Sequence, residues 1–99
     1  MEGYVYFVEY GDDAGAVLRK WEVQEDEVRA AVEEAMRVPA VRMLFEAAEE
    51  SLEEIVLKAF RRHHIHWSVQ EFLGGFIPLD DVFEEFKGRR VRVVIEALE

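Results

Sequence analysis

The sequence predicts a single α+β domain over residues 1–99, with helices packed on one face of a small sheet of three or four strands. Three observations support this prediction. The chain opens with an aromatic, β-branched segment, its middle has the 3.6-residue apolar period of helices, and a period of two returns before its C-terminus. With 99 residues and 51% hydrophobic composition, the chain has enough apolar side chains for one core and too few residues for two domains.

The N-terminal segment predicts a β-hairpin. Tyr4–Tyr10 is rich in aromatic and β-branched residues, Gly11–Gly15 is a run of turn formers, and Ala16–Val23 is extended again. The sequence leaves open which face of the first strand meets the helices. If Val5 and Phe7 point inward, the outward set is a large apolar patch made of Tyr4, Tyr6, Val8 and Tyr10. The inverse assignment exposes a smaller patch.

Two consecutive amphipathic helices follow the hairpin. The first is predicted over residues 25–38, because three acids lie in its first turn and apolar residues recur from Val28 at helical spacing. Pro39 should end it. A second helix, of about 22 residues, is predicted to begin almost at once. Its apolar residues are alternately four and three positions apart from Val41 to Ala59, and its last turn carries Lys58, Arg61, Arg62 and His63. Its opposite face carries Glu46, Glu49, Glu50, Glu53 and Glu54.

A short helix and a C-terminal strand complete the predicted fold. Asp81 and Glu84 are spaced as a capping pair, and Gly88 suits the left-handed residue that ends a helix. Arg90–Leu98 alternates, so that its odd positions are uniformly apolar. We expect this strand to pair with the hairpin.

Charge and composition exclude several classes of protein. The chain has 22 acidic and 12 basic side chains, and its net charge of −10 argues against binding to nucleic acid or to anionic membranes. Because cysteine is absent, there is no disulfide framework and no thiolate metal site. The first residues lack the pattern of a signal peptide, and no stretch of about 18 apolar residues occurs. We therefore expect a soluble, cytoplasmic protein.

The three histidines, His63, His64 and His66, lie within four positions. Residues 64–72 alternate as a strand does but also suit a fraying helix end, and Leu73–Phe76 is a predicted turn. On either a strand or a helix, two of the imidazoles share a face, which makes the cluster a candidate site for a divalent metal. The spacing permits this and does not require it, since a histidine after a helix also complements the helix dipole.

Positive charge is concentrated late in the chain. Residues 1–60 carry 15 acids and 6 bases, whereas residues 61–99 carry 7 acids and 6 bases. If the long helix ends near the last strand, four arginines would form an anion-binding pole: Arg61, Arg62, Arg89 and Arg90. The alternative is that these arginines pair with acids such as Glu84 or stay solvated.

Aromatic residues of the hairpin are candidates for an interface, namely Tyr4, Tyr6, Tyr10 and Trp21. Such a set also suits stacking on single-stranded nucleic acid, but the negative charge of the chain opposes binding to phosphates. Packing in a core or a dimer interface is the favoured interpretation. A small sheet with helices on one face often takes its second layer from another molecule, so the sequence predicts a homodimer.

The leading functional hypothesis is therefore an acidic, homodimeric protein–protein interaction or regulatory module. Two alternatives stay open. One is a metal-binding protein or enzyme that uses the histidine cluster and nearby arginines on an anionic substrate. The other is an acidic mimic of nucleic acid that inhibits a basic partner protein. No catalytic motif occurs, which favours a role without catalysis, and no cofactor is indicated except the divalent metal.

Overall fold

The computed structural model describes residues 1–99 and has the predicted α+β architecture. Its elements are β1 (Tyr4–Tyr10), β2 (Asp13–Arg19), α1 (Glu25–Met36), α2 (Pro39–Phe45), α3 (Leu52–Arg61), β3 (His64–His66), α4 (Trp67–Leu73), β4 (Phe76–Pro78) and α5 (Leu79–Glu84). The strands form one sheet in the order β3-β1-β2-β4, in which β3 is parallel to β1 and the other pairs are antiparallel. None of the helices has the length and apolarity needed to cross a membrane.

The N-terminal hairpin is confirmed, with a tighter turn than predicted. Tyr10 pairs directly with Asp13, so the loop has two residues, and β2 begins at Asp13 instead of Ala16. Gly11 takes a φ of 63°, which the favoured two-residue hairpin turns require at their first central position. β2 ends at Arg19, four residues before the predicted end.

The structure resolves the orientation of β1 in favour of the inverse assignment. Tyr6 and Val8 are 4% and 0% exposed and point toward the helices, while Val5 and Phe7 lie on the other face. The hydroxyl oxygen of Tyr6 accepts a hydrogen bond from the backbone N–H of Val23 at 3.0 Å. Of the two environments predicted for Tyr6, a core and a dimer interface, its ring occupies the core of the chain.

The core lies between one face of the sheet and the helices α1, α3 and α4. α1 runs as predicted to within two residues, and its buried side chains have the spacing of one helical face: Val28, Ala31, Val32 and Ala35. The backbone N–H of Gln24 donates to Glu27 Oε2 at 2.9 Å and so caps the start of this helix.

The prediction of a single long helix that starts soon after Pro39 is wrong, since the structure has two helices separated by residues 46–51. Ser51 begins α3, and its hydroxyl accepts a hydrogen bond from the N–H of Glu54 at 3.2 Å. A continuous helix would also place five glutamates three and four residues apart along one face, where like charges repel. The break removes Glu46, Glu49 and Glu50 from that face.

The predicted C-terminal strand is also wrong within this chain. Residues 90–99 have no regular secondary structure, and the last backbone hydrogen bond joins the Arg89 N–H to the Phe86 carbonyl. Both positions beside the hairpin are already taken, because β3 pairs with β1 and β4 pairs with β2. Gly88 is left-handed as predicted, with a φ of 76°. The capping pair is wrong, since α5 begins after Pro78.

The hydrogen bond of Tyr6 gives a direct test of this core. We expect Tyr6→Phe to lower the free energy of unfolding by about 1–3 kcal/mol, because the buried Val23 N–H would lose its partner. Tyr4→Phe is the matched control, and a change within about 0.5 kcal/mol is expected for this more exposed tyrosine. Urea denaturation measures both values, and equal stabilities for the two variants would contradict the assignment.

Candidate interaction surface

The sheet face opposite the helices carries exposed apolar side chains. Val5 and Phe7 of β1 and Ile77 of β4 are 52%, 42% and 45% exposed. The strand register places Leu18 between Val5 and Ile77 on the same face, where it is nearly buried. We call these four residues the open face. Large exposed apolar patches mark interaction sites in soluble proteins.

The chain beyond α5 adds a second apolar surface. Every residue from Phe83 to Glu99 is exposed, although this stretch includes large hydrophobic side chains. We call residues 90–99 the C-terminal segment. Its exposed hydrophobic residues are Val91, Val93, Val94, Ile95 and Leu98. Ile95 is 90% exposed, so its own domain buries very little of this side chain.

A polar cluster borders the open face at the β3 edge. Glu9 Oε1 accepts a hydrogen bond from Arg62 Nη2 at 3.0 Å. It also accepts one from the Nδ1–H group of His64 at 2.7 Å. The ring of His64 also lies 5.6 Å from that of Phe7, its neighbour in the strand register. These hydrogen bonds orient the His64 imidazole, and the Arg62 guanidinium balances the negative charge of Glu9. Both side chains are partly buried, with His64 31% and Glu9 24% exposed.

His66 has a structural role at the start of α4. Its Nδ1 accepts from the Ser68 N–H at 3.3 Å and lies 2.7 Å from the Ser68 hydroxyl, which donates to it. The imidazole packs against Phe45 and Trp67. Burial lowers the pKa of His66 below its ordinary value of 6.5, against a smaller opposite effect of Glu9. The neutral ring thus serves as a helix cap, which sequence spacing alone did not reveal.

The three histidines occupy different environments. His63 is exposed and takes a left-handed φ of 62° after α3, His64 pairs with Glu9, and His66 caps α4. No group of three or more His, Cys, Asp or Glu side chains is placed to hold a metal ion. Divalent metal binding by these histidines remains a prediction without a preassembled set of ligands.

The predicted anion-binding arginines are attached to opposite edges of the sheet. Arg61 and Arg62 end α3 beside β3, whereas Arg89 and Arg90 follow α5, which contacts β4. Arg62 is engaged by Glu9, and the other three make no ion pair. An anion site built from all four arginines also remains a prediction.

The remaining predicted interface residues are exposed at the two ends of the hairpin. Tyr4 and Tyr10 begin and end β1, and the Tyr10 hydroxyl donates to Gln70 Oε1 at 2.6 Å. Trp21 follows β2 with the Lys20 ammonium 5.1 Å from its ring. The sequence left open which face of β1 would be exposed, because both faces carry aromatic residues.

Comparisons with known proteins identify no relative of the chain. No protein-family model, no curated protein and no solved structure matches it. The surface described above is therefore the basis for a functional conclusion.

The lowered pKa of His66 predicts how stability varies with pH. Because the fold favours the neutral imidazole, the unfolded chain binds the proton more readily, and stability rises with pH wherever that difference persists. The contribution of His66 is present above pH 6.5 and is lost as the pH falls through the lowered pKa of the folded state. Urea denaturation between pH 5 and 7.5 measures the slope.

His66→Asn should reduce this slope, since asparagine can cap α4 but does not titrate. His63→Asn is the matched control at an exposed histidine, and asparagine tolerates the left-handed backbone there. The control should retain the slope of the original chain. A slope that His66→Asn leaves unchanged would contradict this role of His66.

Proposed function

We propose that the chain is a protein–protein interaction module that forms a homodimer through its open face and C-terminal segment. The observation that carries the proposal is the continuous exposure of residues 83–99 despite their apolar side chains. Burial of such side chains stabilises an association by about 25 cal/mol per Å² of apolar surface, before the costs of binding are subtracted. We therefore favour a partner molecule that covers these apolar side chains.

The small size of the core supports the same proposal. Only 19 of 99 residues are buried, and the sheet has a helical layer on one side. A second molecule that covers the open face would supply the missing layer. The sequence favours a second copy as that molecule, because a two-fold axis brings two identical apolar patches together.

The alternative of an acidic mimic is less well supported. α3 does present glutamates, but Glu53 pairs with Arg29 and Glu50 accepts from Lys58 at 2.9 Å. These ion pairs reduce the negative field that a basic partner protein would recognise. The break at residues 46–51 also divides the acidic row.

An enzyme built on the Glu9–His64 pair is less well supported too. The carboxylate and the imidazole are oriented, as in acid–base sites, but neither lines the depression at Trp67 and Phe76 or the depression between α1 and α3. Small-molecule sites are usually concave and bury most of the ligand. A protein partner that covers the open face would instead enclose this pair at the edge of an interface.

Substitutions in the C-terminal segment test the proposed function in the full-length chain. Sedimentation equilibrium should show a dimer for the original chain at micromolar concentration. The double variant Val93→Asp with Ile95→Asp should weaken the dimer by at least tenfold, because two charges would be buried without partners. Both side chains are largely exposed in the chain, so the fold should be retained.

The matched control replaces two equally exposed apolar residues elsewhere, Met43→Asp and Leu44→Asp on α2. The control should associate like the original chain. If it abolishes the dimer and the C-terminal variant does not, the interface lies on α2. An original chain that is monomeric at several hundred micromolar would refute the proposed function.

A further inference from the structure

We infer that two copies of the chain pair their C-terminal segments as an antiparallel two-stranded ribbon, with Arg92 of each protomer opposite Glu96 of the other. This inference rests on the proposed function and specifies the geometry of the association. The partner is a second copy of this chain, which we infer from the charge pattern of the segment and from its lack of strand pairing in its own sheet.

The C-terminal segment extends away from the domain. The radius of gyration of the chain is 15.5 Å, whereas a compact domain of this length has a value of about 13 Å. The longest dimension of the molecule, 50 Å, is more than twice its shortest, 19 Å. Since no backbone hydrogen bond forms beyond Arg89, the N–H and C=O groups of the segment are free to pair with another strand.

The order of charges along the segment favours pairing with itself in the antiparallel direction. Arginines come first, at positions 90 and 92, then a run of three apolar residues, then Glu96. A parallel in-register pair would place Arg92 beside Arg92 and Glu96 beside Glu96. An antiparallel pair centred on Val94 places Arg92 opposite Glu96 at two symmetric positions, and directly opposed opposite charges stabilise a sheet.

The same register matches the apolar side chains. With Val94 opposite the partner's Val94, Val93 lies opposite the partner's Ile95 and Val91 opposite the partner's Ala97. One face of the ribbon is then apolar throughout. A shift of one residue in either direction places Glu96 opposite Val93 or Val91 and separates both Arg92–Glu96 pairs. The centred register therefore satisfies the charge and apolar patterns together. A register centred on Val93 would also do so, with Arg90 opposite Glu96, and it is distinguished by an Arg92→Glu variant that leaves the dimer intact.

The apolar face of the ribbon requires a covering layer, because an isolated two-stranded ribbon is marginally stable in water. The open faces of the two protomers provide exposed Val5, Phe7 and Ile77 for this purpose. A specific interface has about 20–30 residues on each side, which is more than the ten-residue segment supplies alone. The open face of each protomer adds to the surface that the segment supplies, and a two-fold axis through Val94 relates the two halves.

Charge reversal at the paired positions tests the register. In sedimentation equilibrium on the full-length chain, Arg92→Glu and Glu96→Arg should each weaken the dimer by roughly ten- to thirtyfold, because two attractive pairs become repulsive. The double variant with both substitutions should dimerise like the original chain. An equimolar mixture of the two single variants should form a heterodimer, in which every charge again faces its opposite.

Two features separate pairing from a general effect of charge. Glu96→Arg makes the chain less negative, so reduced repulsion alone would strengthen its dimer, whereas the pairing weakens it. Arg42→Glu is the matched control, since it changes the charge as Arg92→Glu does but lies at an exposed position of α2, outside the ribbon. The control should dimerise nearly as well as the original chain.

A disulfide measures the register directly, because the chain has no cysteine of its own. Val94→Cys should cross-link two protomers on mild oxidation, since directly opposed residues of an antiparallel pair have Cα atoms about 4.5–5.5 Å apart. Leu98→Cys should not, because the two positions are eight residue steps apart across the ribbon, or roughly 27 Å.

The results distinguish the inference from the proposed function. A dimer that resists both charge reversals, or that cross-links through Leu98→Cys and not through Val94→Cys, would overturn the ribbon and leave the interaction module standing. An original chain that is monomeric at several hundred micromolar would overturn both. Weakening by each single substitution, with recovery in the double variant, supports both.

Discussion

The alternation of side chains along β1 is the constraint on which the rest of the structure depends. Tyr6 and Val8 point into the helical layer, where the Tyr6 hydroxyl accepts from Val23 and Val8 is fully buried. Successive side chains of a strand point to opposite faces, so Phe7 and Glu9 must lie on the other side. The apolar open face and its polar border, where Glu9 engages Arg62 and His64, both follow from this one orientation.

A second constraint lies at the opposite edge of the sheet, around Arg19. Its guanidinium pairs with Glu27 of α1 at 3.0 Å, its Nε donates to the Gly74 carbonyl at 3.1 Å, and its charge lies 5.7 Å from the centre of the Phe76 ring. The hydrogen bond from Arg19 is the main cause that lowers the pKa of Glu27. These contacts connect β2, α1 and the turn before β4, and they keep β4 at the edge where a C-terminal strand was expected.

Local signals in the sequence predicted the hairpin and α1 because each is determined by near neighbours. The turn at Gly11 and the apolar repeat from Val28 need no distant contact to be recognised. The face of β1 could not be predicted, because aromatic and β-branched residues occupy both sides and only the Val23–Tyr6 hydrogen bond distinguishes them. The break before Ser51 was missed since the apolar spacing continues through it.

The roles of the candidate functional residues also depend on contacts that a local sequence pattern does not reveal. The alternation of the C-terminal segment predicted a strand paired with the hairpin, whereas residues 90–99 have no regular secondary structure and the positions beside the hairpin belong to β3 and β4. His66 looked like a metal ligand by its spacing, whereas its role depends on the position of Ser68 relative to the first turn of α4. The Glu9–His64 pair joins residues 55 positions apart and was outside the reach of any local pattern.

Net charge is the main obstacle to self-association, and the distribution of charge reduces it. Each chain carries −10, most of it within residues 1–60, so two domains in contact would repel each other. The arginines at positions 89, 90 and 92 lie where the C-terminal segment leaves the domain, and the ribbon would hold them between the two acidic bodies. At physiological ionic strength the Debye length is about 8 Å, which screens the distant carboxylates more than the Arg92–Glu96 pairs in contact. Added salt should therefore weaken the repulsion between domains more than it weakens the ribbon, and an acidic chain can associate with a copy of itself.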